Sequence, residues 1–136
     1  MSGSMQEKGR ELLEKSRRVL ERDVRSASKD NDFEMVVRRS QEAVGLALKG
    51  ALKLLGVDYP RIHDVAPVLV AQLRKKRSLE CDEVLDEIER ISLWLSQARA
   101  PAFYGEREYG SEDASLAQRD AQFVVDQVKD LFPGST

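Results

Sequence analysis

The chain has almost none of the residue types that build metal or disulfide chemistry: one cysteine and one histidine in 136 residues. That scarcity excludes a disulfide framework, a Cys/His zinc site and a cysteine-held cluster made by one chain, and no metal or cofactor is expected. An excess of one charge is also missing. With 22 basic and 24 acidic side chains the formal net charge is -2, so the total points to neither nucleic acid nor acidic substrates. No apolar run approaches the roughly 20 residues that a membrane helix requires, because charges interrupt the apolar stretches every few positions. The opening Met1-Ser2-Gly3-Ser4-Met5 lacks an apolar signal core, and residues 1 to 4 read as an added leader before a natural start at Met5. A lone Cys81 without an export signal fits a reducing cytoplasm, the expected location. What remains is enough for one domain with a modest core, expected over residues 5–132 with a tail at 133–136.

Strand alternation and hairpin turns are lacking as well, and no repeat of 20 to 50 residues is visible. Helical periodicity is everywhere instead. From Gln6 to about Lys29, the residues Leu12, Leu13, Val19, Leu20, Val24 and Ala27 recur at the spacing of one helical face, and Lys29-Asp30-Asn31-Asp32 then forms a cap-rich break. A second helix, from about Phe33 to Leu55, carries a broad apolar stripe and is expected at the centre of the core. Gly45 and Gly50 each cost about 1 kcal/mol inside a helix, so both predict close approach of a neighbouring helix. Gly56 is placed to cap this helix. A third begins around His63 or Asp64 with Pro67 in its first turn, where a missing amide costs little. A fourth runs from Asp82 to Gln97 with acidic outer faces; without a converging cluster, these carboxylates are no metal site. Ala98 to Glu112, with Pro101, Gly105, Gly110, Phe103, Tyr104 and Tyr109, reads as an ordered loop with aromatic anchors. A fifth helix starts at a Ser111 or Asp113 cap and stops before Pro133-Gly134. The expected architecture is all-α, an up-and-down antiparallel bundle of about five helices.

The near-neutral total hides a polarity. Residues 1–77 hold 17 basic and 11 acidic side chains, net +6, and residues 78–136 hold 5 and 13, net -8. Such halves can complement each other within one bundle or across a symmetric dimer. The densest basic patch, Arg74, Lys75, Lys76 and Arg77, has two readings: cations at the end of the third helix, or phosphate contacts to RNA or a nucleotide.

Three stretches together resemble a HEPN domain: the second helix from Arg39 to Leu55, the following Ile62-His63-Asp64-Val65, and Ala98-Arg99-Ala100-Pro101-Ala102-Phe103-Tyr104 leading into Ser111-Glu112-Asp113-Ala114. The motifs are degenerate one by one; their order and spacing carry the likeness, which covers nearly everything from Met5 to Phe132. The resemblance implies a small prokaryotic helical-bundle protein that forms a homodimer and is encoded beside a minimal nucleotidyltransferase. In such toxin-antitoxin pairs the HEPN protein is often an RNA-cleaving toxin and the partner the antitoxin.

The ribonuclease members carry an arginine, four to six residues, then a histidine. Arg99 matches the arginine, but Ala100 follows it and positions 104 to 106 are Tyr104, Gly105 and Glu106. Metal-independent RNA cleavage needs proton donors and acceptors with pKa values near neutrality, and a tyrosine at about 10 is a poor substitute. The resemblance is therefore to a branch with nucleotide or partner binding in place of cleavage. Its candidate binding residues are Arg99, Tyr104, His63 and Arg61, with His63 matching the family's His-Asp at the start of the third helix. An active ribonuclease of unorthodox constellation and a purely structural interaction module remain the alternatives.

Overall fold

Eleven residues of the second expected helix are buried, from Val36 and Val37 through Ala43, Ala47 and Leu48 to Ala51 and Leu52, and a helix apolar around so much of its circumference must be packed on most sides. In the computed structural model this is α3 (Phe33–Leu54), and it packs extensively against α1 (Ser2–Arg18), α5 (Asp82–Tyr104) and α6 (Ser111–Leu131) and more lightly against α4 (Ala66–Arg77). The structure describes residues 2–62, 64–77, 82–104 and 108–134, with Ser2, Gly3, Arg77, Asp82 and Arg99 to Tyr104 described by their backbone alone. Among the described residues there is no strand, and the fold is the all-α bundle that the periodicity predicts.

Helix α1 continues without a break through a π-helical stretch, Val19–Val24, into α2 (Arg25–Lys29). The wider π turn has a packing consequence: Val19 and Leu20, adjacent in sequence, are both buried, and Val24 follows them into the core. This rod reaches back to Ser2, four residues ahead of the expected start, since only Gly3 in that stretch opposes a helix. Asn31 then adopts a left-handed φ of 56°, and the Asp32 carboxylate accepts the Met35 amide at 3.2 Å to cap α3.

The two glycines of α3 do different things. A Cβ on Gly50 would lie 2.9 Å from the Gly9 carbonyl oxygen, so α1 and α3 touch backbone to backbone, as expected there. Gly45 corrects the expectation: among the described residues a Cβ there would meet only Gln41 of its own helix, at 3.7 Å, and no neighbouring helix. At the end of α3, Gly56 takes a φ of 76°, its amide bonds the Lys53 carbonyl, and the Val57 amide bonds that of Leu52.

Helix α4 begins at Ala66, later than expected, because the Asp64 carboxylate caps it by accepting the Ala66 amide at 3.2 Å. A larger correction concerns α5, which runs on to Tyr104 where a loop from Ala98 is expected. Pro101 removes the amide that the Gln97 carbonyl would use, which in sequence reads as a stop. Here the turn before it is held by tertiary structure: Ala98 is buried, and its carbonyl accepts the Tyr109 hydroxyl at 3.2 Å. Tyr109 itself is 4% exposed, the aromatic anchor expected of it. Asp113 then accepts the Gly110 amide at 3.0 Å and α6 starts at Ser111.

Candidate functional site

The residues singled out in the sequence fall around α4 and the C-terminal end of α5. Asp64 is the joint. Its Oδ1 caps α4 and also accepts the Ser92 hydroxyl of α5 at 2.6 Å, so the segment immediately after His63 is fastened to α5. At the other end of α4, Arg74 pairs with Asp86 at 3.0 Å. The two contacts set α4 and α5 antiparallel, with Asp64 against the middle of α5. Arg99 lies seven residues beyond Ser92, two helical turns or about 10 Å along the axis.

His63 lies outside the described residues, and the side chains of Arg99 and Tyr104 likewise; α5 positions the backbone of both. Arg61 is exposed in the connection between α3 and α4. In the basic patch, Arg74 bridges to α5, Lys76 donates its Nζ to the Leu55 carbonyl at 2.9 Å, and Lys75 is exposed; the Arg77 side chain is outside the described residues. Lys76 thus complements a helix end, but that of α3 and not its own. The Arg74–Asp86 pair is one place where the basic and acidic halves of the chain meet.

A second joint ties α5 to α6. Asp120 is buried, with its carboxylate accepting Trp94 Nε1 at 3.0 Å and lying 3.5 Å from the Arg90 guanidinium. Beside it, the Glu87 carboxylate holds the Arg90 guanidinium above its ordinary pKa by hydrogen bonding. This reads as structure: a buried carboxylate is tolerated when hydrogen-bonded and paired.

What the sequence reading did not isolate is the outward stripe of α3. Most of that helix is covered, but Arg38, Arg39, Glu42, Gly45, Leu46 and Lys49 line an open groove of about 290 Å³. Beyond it, Lys49 and Lys53 stand over the Tyr59 ring, with Nζ 5.7 and 5.2 Å from the centroid. Tyr59 and Lys53 in turn wall a second hollow of about 560 Å³ against α1, with Lys8, Lys15 and Arg18. The signal was present in the sequence as cations at helical spacing, but periodicity alone does not say which polar residues face a groove. Among the described residues no cluster of His, Cys, Asp or Glu is arranged to hold a metal ion, and no helix is long and apolar enough to cross a membrane.

Comparison with known proteins adds one positive finding: the family model of the HEPN domain matches residues 9–131. No curated protein and no solved structure matches the chain.

Proposed function

The chain belongs to the HEPN domain family, and from that premise we propose that it is the HEPN component of a toxin-antitoxin-like pair with a minimal nucleotidyltransferase. In this reading it is a homodimer that binds a nucleotide or RNA beside the end of α5. Family membership points to a function connected with nucleotides or RNA; the choice of site rests on Asp64. Its bond to Ser92 ties the start of α4 to the middle of α5, two turns before Arg99, which supports a reading in which Arg99, Tyr104 and His63 serve one site. An arginine offers a planar fork of donors to a phosphate, and a tyrosine ring can stack on a base.

The same chemistry argues for binding over cleavage. The family's histidine position is held by Tyr104, with Gly105 and Glu106 after it, and a phenol is poorly matched to proton transfer at neutral pH. The direct experiment titrates ATP and a short single-stranded RNA into the purified protein and follows binding and cleavage in the same samples, with Arg99→Ala beside the wild type. Binding without cleavage, lost in the variant, is the expected outcome. RNA cleavage abolished by Arg99→Ala and by His63→Ala would replace this reading with an active ribonuclease. Neither binding nor cleavage would leave a protein-interaction module.

A further inference from the structure

On the basis of the homodimer in the proposed function, we infer that the outward stripe of α3 is its dimer face, with two copies of the helix crossing antiparallel about a two-fold axis between Gly45 and Leu46. Residues 38, 42, 45 and 49 follow one another at steps of four, three and four along one side of α3, the spacing of a seam between two helices. Most of α3 is covered by its own bundle, and this side is left as an open groove.

The signs of charge along the seam choose the occupant. Glu42 and Lys49 are seven residues apart, two turns or about 10 Å along the axis, too far to pair with each other. Lys49 has no ion pair among the described residues, and Glu42 has only Arg39 beside it, at 2.6 Å. An acid midway along the stripe opposes a polyanion, and the cations oppose a basic partner; a stripe carrying both signs suits a copy of itself. Charge also fixes the direction. Parallel copies would set Glu42 against Glu42 and Lys49 against Lys49. Antiparallel copies set Glu42 of each against Lys49 of the other, twice per dimer, because the two residues lie equally far on either side of the Gly45–Leu46 centre.

Shape agrees at the same centre. A Cβ on Gly45 would meet only Gln41 among the described residues, at 3.7 Å, so a second helix can approach closely there. Leu46, half-buried beside it, is the knob that the two-fold axis brings over Gly45 of the other copy. A buried amide is also left unused in the groove wall. Gln41 is 8% exposed and makes no hydrogen bond among the described residues. Such a group is costly without a partner, and a polar stripe from a second copy brings both donors and acceptors to it.

The test is sedimentation velocity of the full chain over a concentration series, with circular dichroism to verify that each variant is folded. Glu42→Lys and Lys49→Glu each set like charges across the axis twice, and each is expected to raise the dimer dissociation constant at least about tenfold. The double variant Glu42→Lys/Lys49→Glu restores opposite charges between copies and is expected to return to within about threefold of the wild type. Contacts within one chain do not produce that rescue, since the two residues are two turns apart. Gly45→Leu fills the hollow without changing charge and should give a folded monomer. Arg119→Glu, on the exposed side of α6, controls for charge reversal and should leave the dimer as it is.

A wild type that is monomeric at every concentration overturns this face together with the homodimer of the proposed function. A wild-type dimer that survives both single reversals, or survives Gly45→Leu, overturns the face alone. So does a double variant that is folded yet monomeric, or an Arg119→Glu variant that dissociates as readily as Lys49→Glu. ATP titration with Arg99→Ala reads the ligand half of the proposed function separately from all of these.

Discussion

Gly45 and Gly50 sit on one helix, five residues apart, and face opposite worlds. On the Gly50 side α3 meets α1 so closely that a methyl group has no room against the Gly9 backbone. On the Gly45 side the nearest atom of the described residues to an added methyl is a side-chain amide at 3.7 Å, an ordinary contact. The same residue type therefore serves packing in one place and an open groove in the other. One glycine is needed by the fold; the other lowers helix stability with no packing return among the described residues, and that contrast makes its side of α3 worth testing for function.

The largest effect expected from this contrast is at the closed side. Gly50→Ala must push the Gly9 backbone, with Leu12 and Leu13 also within 3.2 Å, and should destabilise the protein by about 1–3 kcal/mol in chemical denaturation. Stability equal to or above wild type would mean that α1 and α3 are not in backbone contact. Ser40→Ala comes next, with the opposite sign. The Ser40 hydroxyl is fully buried and has no hydrogen-bond partner among the described residues, so its removal should stabilise by about 1 kcal/mol. A loss of stability would show that the hydroxyl is satisfied in solution.

Gly45→Ala should stabilise by about 0.5–1 kcal/mol, raising the melting temperature by a few degrees, because the gain in helix propensity meets no clash. Destabilisation there would return Gly45 to a packing role. The smallest effect belongs to the surface pair Glu14–Arg17. The hydrogen bond from Arg17, chiefly, holds the Glu14 carboxyl below its ordinary value of 4.5. A lowered pKa stabilises the fold above the unfolded-state value, and that contribution disappears as pH falls through the folded value. Glu14→Gln should therefore melt slightly below the wild type at neutral pH, with the gap closing under acid. A gap that stays constant into acid would show that the pair contributes nothing through charge.

Much of the bundle was legible without coordinates. Five helical segments follow from the recurrence of residues such as Val37, Val44, Leu48 and Leu52, all buried, because a helix must turn its apolar side to its neighbours. The turn at Asn31-Asp32 and the cap at Gly56 were readable because their residue types are the ones such turns demand. Less of the candidate site was legible. Arg99 and Tyr104 stand out by likeness to a family pattern, whereas the fastening of Asp64 to Ser92 spans 28 residues and has no local signature. The continuation of α5 past Pro101 was hidden for a similar reason, since Tyr109, eleven residues beyond Ala98, supplies a hydrogen bond to the turn before the proline.

The sequence by itself determined the all-α class, the number and order of the helices and the placement of α3 in the core, because periodicity and capping are local properties of a chain. It also determined the opposed charges of the two halves. Only the tertiary structure decided which glycine is packed and which is open, that Lys76 serves the end of α3, and that cations from α1 and α3 meet around Tyr59. The physical reason is common to all three: each depends on which faces of distant helices are brought together, and that is settled by packing the whole core at once.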